Sequence, residues 1–253
     1  MEQRDAYQLL QWYQQMGINL AVAQEPLDRR GQVMVKPPVK SVVTSVISTD
    51  LRREVASCQT LAELRQLMMN FDGCDLKKGA TQLVFSDGNP QSSLMLIGEA
   101  PGAEEDKQGR PFVGLSGQLL DRMLATIGLD RRSLYITNIL PWRPPGNRQP
   151  TASEIALCLP FIEKHIALVA PRLLLFLGGV AAKTLLQTSE GIVRLRGHWQ
   201  DYSNPYTAQV IPALATFHPA YLLRSPGQKA LVWQDLLQVQ AAAKRQLLTP
   251  DDR

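Results

Sequence analysis

The sequence predicts an α/β protein, a three-layer α/β/α sandwich around a central, mainly parallel sheet. Two observations carry this. From Gly73 onward, short continuous apolar runs alternate with longer segments of helical period. Such alternation gives parallel strands covered by helices on both faces. The second observation concerns the rim: several runs end in turns rich in chemically active residues, and the carboxyl ends of strands are where open α/β sheets bind ligands.

Taken in order, residues 6–16 carry apolar side chains at helical spacing (Ala6, Leu9, Leu10, Trp12, Tyr13, Met16), and Gly17 stops the pattern. Residues 23–49 hold a Pro-Pro pair and read as a linker. The expected organisation is an N-terminal helix plus flexible linker over 1–50, then one domain over 51–253. Residues 60–69 form a short helix opened by Thr60, with Glu63 three positions on in a capping-box pattern. Strands follow at 94–97, 134–137, 173–177 and 210–215. Helices fall at 116–127, 152–169, 180–186 and 229–245.

Bulk properties narrow the class. At 253 residues the chain holds one sizeable domain plus an appendage. A net charge of +4 is compatible with a nucleic-acid partner. No charged-then-apolar leader opens the sequence, and no run approaches the roughly 20 apolar residues of a membrane helix. No membrane partner is expected, and the expected location is the cytoplasm, at the nucleoid. Three widely spaced cysteines argue against a disulfide framework and for a reducing compartment. A monomer is expected.

The chemistry concentrates in three segments. Gly98-Glu99-Ala100-Pro101-Gly102 follows the apolar run at 94–97 and continues to Gly109-Arg110-Pro111-Phe112-Val113-Gly114. Phe217-His218-Pro219-Ala220-Tyr221-Leu222-Leu223-Arg224 follows the last strand. Tyr135-Ile136-Thr137-Asn138 ends another strand with an amide. A carboxylate, a ring, an amide and an imidazole could grip and expel a planar heterocycle.

These segments resemble the uracil-DNA glycosylase superfamily, most closely its thermophile-type branch (family four), from about Cys74 to about Ala242. The resemblance implies an enzyme that removes uracil from DNA. A glycosylase pulls its target nucleotide out of the duplex and stabilises charge on both sides of the breaking bond. His218 is then expected to donate to the departing base. Glu99 is the expected catalytic carboxylate, with Glu105 as the second choice within Glu104-Glu105-Asp106. The bland alternative for that acidic trio is a solvated loop, and it is preferred for Glu104 alone. Asn138 reads the base, because one amide satisfies both the N3–H and the O4 of uracil. Phe112 is the stacking platform, and Gly98 and Ala100 complete the base site. Ala100 stands where the best-studied branch has an aspartate, and Gly102 where it has the tyrosine that blocks the thymine methyl.

DNA contacts are expected from Ser116 and Gly117, which open a helix whose free N–H groups could hold a phosphate. Arg143, Asn147 and Arg148 lie on a stiff basic loop. Leu222 is the expected wedge filling the hole left by a flipped base, with Arg224 beside it on the backbone. Alternatives at this point are a glycosylase for hypoxanthine or xanthine, and a DNA-binding homologue without catalysis.

The resemblance also implies a four-iron cluster held by four cysteines. Only Cys74 and Cys158 match that set. Phe71 and Trp142 occupy the other two places and cannot ligate. No cofactor and no metal are therefore expected. Cys74 and Cys158 are read as remnants of the ligand set, with aromatic bulk as the local core in place of metal.

Overall fold

The computed structural model describes residues 49–248. The expected helix at 6–16 and nearly all of the linker lie outside them. Helix α1 is Thr49–Ser57, α2 Leu61–Asn70 and α3 Asp75–Gly79. Strand β1 is Asp87–Gly88 and β2 Leu94–Gly98, followed by α4 (Ala103–Gln108) and α5 (Leu115–Ala125). Strand β3 (Tyr135–Asn138) leads through α6 (Ala152–Val169) to β4 (Leu173–Leu177). Then come α7 (Gly179–Leu185), α8 (Ile192–Leu195), β5 (Trp199–Tyr202), β6 (Ile211–Thr216), α9 (Pro219–Arg224) and α10 (Lys229–Leu248).

The six strands lie in the order β1-β3-β2-β4-β6-β5. The inner four are parallel, and the two edge strands run antiparallel to their neighbours. Strands β2 and β4 are apolar and buried along their whole length, as a sheet covered on both faces requires. Met95, Ile97, Tyr135 and Phe176 pack on one face against Cys158, Ile162 and Ile166 of α6 and Ala182 of α7. Leu94, Leu96, Ile136 and Leu175 pack on the other against Leu120 and Leu124 of α5 and Val232 and Leu236 of α10. The three-layer α/β/α sandwich expected from the sequence is thus the fold.

This topology places the functional rim. The chain leaves β2 toward α5 on one face and leaves β4 toward α7 on the other. Adjacent strands whose exits diverge open a crevice at their carboxyl ends. Six of the eight expected segments from residue 94 onward lie within one residue of their bounds, and 152–169 and 173–177 hold them unchanged. Helix α2 starts after Thr60 as read, with Thr60 Oγ1 accepting from Glu63 N at 3.1 Å. The capping box is only half formed, because the Glu63 carboxylate accepts from Gln59 N at 2.7 Å and not from the N-cap N–H.

One reading is corrected. The acidic trio is not a solvated loop but the first turn of α4, with Glu105 7% and Asp106 3% exposed. Asp106 accepts from Thr81 N and Thr81 Oγ1, both at 2.8 Å. Only Glu104 faces solvent, paired with Lys107 at 2.9 Å. No helix among the described residues is long and apolar enough to cross a membrane.

Candidate base-binding site

A cavity of about 440 Å³ opens at the carboxyl ends of the parallel strands. Its wall includes Glu99, Ala100, Glu105, Phe112, Ser116, Asn138, Asn147, Arg148, His218 and Arg224. A larger groove of about 570 Å³ lies between α5 and α10, but its lining is almost wholly apolar and contains none of the chemical residues. The polar cavity is the candidate site.

Its floor is set by register. Gly98 and Asn138 are paired at the ends of the adjacent parallel strands β2 and β3. A Cβ on Gly98 would lie 2.4 Å from Asn138 Oδ1 and 2.5 Å from Phe112 Cζ. Glycine there lets the amide and the ring close over the strand end. Asn138 is 5% exposed, and its Oδ1 is buried without a hydrogen-bond partner among the described residues. Leaving an acceptor in that state costs about 1–3 kcal/mol. Its amide is therefore held ready for a ligand that donates.

Phe112 is buried, and its ring centroid stands 5.6 Å from that of His218. Its backbone is left-handed, with φ of 55°, a conformation that costs a non-glycine residue about 1–2 kcal/mol. Glu105 supports it. The Glu105 carboxylate accepts from Val113 N at 2.9 Å, Gly114 N at 2.8 Å and Gly102 N at 3.1 Å. A carboxylate holding three N–H groups is a fastening, so the expectation of Glu105 as an alternative catalytic carboxylate is corrected. Gly117 is likewise not free for DNA. It is buried, and a Cβ there would lie 1.7 Å from Phe112 O, so glycine lets α5 approach the Phe112 turn.

Glu99 differs from Glu105. It is partly buried, its carboxylate makes no hydrogen bond or ion pair with the described residues, and burial raises its carboxyl pKa above the ordinary carboxylate value. It is the unengaged carboxylate of the cavity. His218 caps α9, and its Nδ1 accepts from Ala220 N at 3.2 Å. That bond leaves the proton on Nε2. Burial, with the nearby Arg224, presses the imidazole pKa down to about 4, so the ring is a neutral donor at neutral pH. A Cβ on Gly178, at the end of β4, would lie 3.0 Å from His218 Cβ. Behind the ring, Thr216 Oγ1 donates to the buried Asp235 at 2.6 Å, and Asp235 pairs with Arg196. The end of β6 is thereby tied to α10.

The rim is less uniform than expected. Ser116 and Arg224 line the cavity. Arg143 lies on the same loop but not in the wall, and its Nε donates to Asn147 Oδ1 at 2.7 Å. Arg148 is held by Glu154 through contacts of 2.9 and 2.5 Å, which draws the Glu154 carboxyl down to about 2. Leu222 is fully buried in the apolar cluster beneath α9. A wedge must be exposed, so that reading is corrected. Pro219 and Leu222 share the inner face of α9, and the neighbouring Leu223 is 43% exposed. Tyr221 also lines the cavity, which the sequence reading had not singled out.

The place implied for an iron–sulfur cluster holds a different chemistry. Cys74 and Cys158 are buried and hydrogen-bonded, which lowers the Cys74 thiol to about 7. Phe71 and Trp142 stack at 6.5 Å in the same cluster. Cys58 sits in a separate cluster with Val55 and Leu64. Two thiols beside two rings do not fit a four-iron cluster, which needs four ligands. No group of three or more potential metal ligands occurs among the described residues.

A mainly parallel sheet covered by helices on both faces, with a polar crevice at its strand ends, defines the class of three-layer α/β proteins. The family model described as the uracil DNA glycosylase superfamily matches residues 85–237, and the chain belongs to that superfamily. It is 36% identical over 180 residues to the type-4 uracil-DNA glycosylase of Pyrobaculum aerophilum, covering 70% of this chain and 91% of that protein. It is 36% identical over 176 residues to the type-4 uracil-DNA glycosylase of Thermotoga maritima, covering 68% of this chain and 89% of that protein. The type-5 uracil-DNA glycosylase of Pyrobaculum aerophilum matches at 28% over 156 residues, covering 56% of this chain and 67% of that protein.

Proposed function

We propose that the protein is a DNA-repair glycosylase that flips uracil out of DNA and hydrolyses its N-glycosidic bond, leaving an abasic site. The observation that supports this most is the buried, partnerless Oδ1 of Asn138. Uracil N3–H supplies the missing donor, and the amide NH₂ meets uracil O4. Cytosine reverses both and leaves opposed polar groups, so the amide discriminates strongly. The Phe112 ring carries the base by stacking, worth about 1–3 kcal/mol.

In the reaction, the bond between uracil N1 and the sugar C1′ breaks and its electron pair stays with the base. His218 Nε2–H donates to uracil O2 as charge gathers there. Glu99 faces the sugar cation and accepts the proton of the water that adds to C1′. Ser116, Arg143, Asn147 and Arg224 hold the strand, and Leu223 fills the vacated stack. The reaction runs without an iron–sulfur cluster, because Phe71 and Trp142 supply packing rather than ligands.

The test is incubation with a uracil-containing oligonucleotide followed by hot alkali. Strand scission at uracil is expected, and absence of scission above background would overturn the reading. A parallel panel of hypoxanthine, xanthine and thymine defines the base range.

A further inference from the structure

Phe112 is gripped from two sides. Glu105 holds the turn from the cavity through the N–H groups of Val113 and Gly114. Arg131 holds it from behind. Arg131 lies in the turn between α5 and β3 and contributes nothing to the cavity wall. Its Nη1 donates to Pro111 O at 3.1 Å, and its Nη2 donates to Phe112 O.

The Phe112 carbonyl and the Val113 N–H belong to one peptide unit. Its oxygen is held by a guanidinium and its N–H by a carboxylate. A planar unit fixed at both ends cannot rotate, so ψ of Phe112 is locked while φ stays left-handed. The guanidinium is itself fixed. Its Nε donates to Asp121 Oδ1 at 3.0 Å and its Nη1 to Asp87 Oδ2 at 2.5 Å. Asp87 also accepts from Arg110 at 3.0 Å. Burial would raise the Asp87 carboxyl, but Arg110 and Arg131 hold it below its ordinary value. Lysine could not reproduce this, because the contacts use the planar fork.

We infer that Arg131 is a positioning residue for the base platform. Anchored by Asp87 and Asp121, it holds the Phe112 peptide so that the ring stands against Asn138 and His218. The inference rests on the glycosylase reading for its kinetic consequence, but its structural content does not.

Two arms test it. In the first, 4-fluorophenylalanine is placed at position 112 and its ¹⁹F resonance recorded. Wild type gives one resonance, and Arg131→Met gives a shifted, broadened or doubled one. In the second, single-turnover uracil release is measured for Arg131→Met in the wild-type and Phe112→Ala backgrounds. Misplacing the ring lowers the rate by at least ~10-fold in the first background. It changes the rate less than ~2-fold in the second, because a contact with no ring to position has nothing to couple to. Equal losses in both backgrounds, or an unchanged ¹⁹F resonance, would overturn the inference. If Arg131→Met does not fold, Arg131→Lys enters both arms. A wild-type protein inert on uracil would defeat the glycosylase reading, and the ¹⁹F arm would still decide this one.

Discussion

The ring of Phe71 stacks on that of Trp142, centroids 6.5 Å apart and planes 25° from parallel. Phe161 meets Phe71 edge-on at 5.2 Å. Phe71 and Trp142 pack with the paired thiols of Cys74 and Cys158, and Phe161 belongs to the adjoining cluster of Val55 and Leu64. The loop carrying Trp142 leads directly into Arg143 and Asn147. An aromatic stack thus anchors the base of the Arg143–Arg148 loop by packing.

Purified protein is accordingly expected to be colourless, with no absorbance near 400 nm and no bound iron. Stoichiometric iron after anaerobic purification would sink this expectation. Trp142→Ala removes a fully buried ring and should cost ~3–5 kcal/mol in denaturant unfolding.

Asn138→Asp is expected to relax selectivity toward cytosine. A protonated carboxyl presents a donor and an acceptor in the arrangement cytosine needs. The variant should retain the fold, since the wild-type Oδ1 has no protein partner to lose. Cytosine release no higher than wild type, from folded protein, would remove Asn138 as the reader.

Much of this was legible in the sequence, and the omissions have physical causes. Helix α6 and strand β4 were bounded correctly because their apolar patterns are long and buried. Strands β1 and β5 were missed. The first is two residues long, and the second is exposed at Trp199, Gln200 and Asp201, so pairing rather than pattern defines them. Helix α4 looked like a charged loop because its stability comes from partners distant in sequence, namely Val113, Gly114 and Thr81. The sequence identified Phe112 as a ring in a loop. Its left-handed backbone and the hold of Arg131 on its carbonyl appear only in three dimensions. The choice between Leu222 and Leu223 depended on the phase of a six-residue helix, which Pro219 fixes.

That phase is testable. Leu222→Ala should destabilise the fold by ~2–5 kcal/mol, as for a core leucine. Leu223→Ala should leave stability within ~0.5 kcal/mol and slow uracil release from duplex more than from single strands. Equal slowing on both substrates would rule Leu223 out as the wedge.

Arg143 and Arg148 should separate in salt titrations. Among the described residues Arg143 has only an amide partner, whereas Arg148 is neutralised by Glu154. Arg143→Ala should reduce the slope of log affinity against log salt by about 1 and leave base selectivity unchanged. Arg148→Ala should change the slope less, while loosening the Thr151–Glu154 capping box at the start of α6. A change of base preference in Arg143→Ala would mean that it contacts bases.

Glu99 and His218 should divide the pH profile between them. Burial raises the Glu99 pKa above the ordinary carboxylate value, so a step needing its carboxylate is complete at higher pH and lost as pH falls through the raised pKa. The His218 pKa is pressed to about 4, so the ring is already neutral at pH 6.5 and should give no inflection there. Glu99→Gln should therefore lower the rate and abolish the acid limb. His218→Ala should lower the whole profile by ~10²–10³-fold and keep that limb. Neither should weaken binding to DNA carrying an uncleavable uracil analogue, since Glu99→Gln removes an anion near phosphates. The two groups act on opposite ends of one breaking bond, so the double variant should lose less than the product of the single losses. Single-turnover rates on one uracil duplex measure all four proteins. An unaltered rate in Glu99→Gln would leave the cavity without a free catalytic carboxylate, because Glu105 is already bound to three backbone N–H groups. Catalysis would then rest on His218 and the DNA's own phosphates.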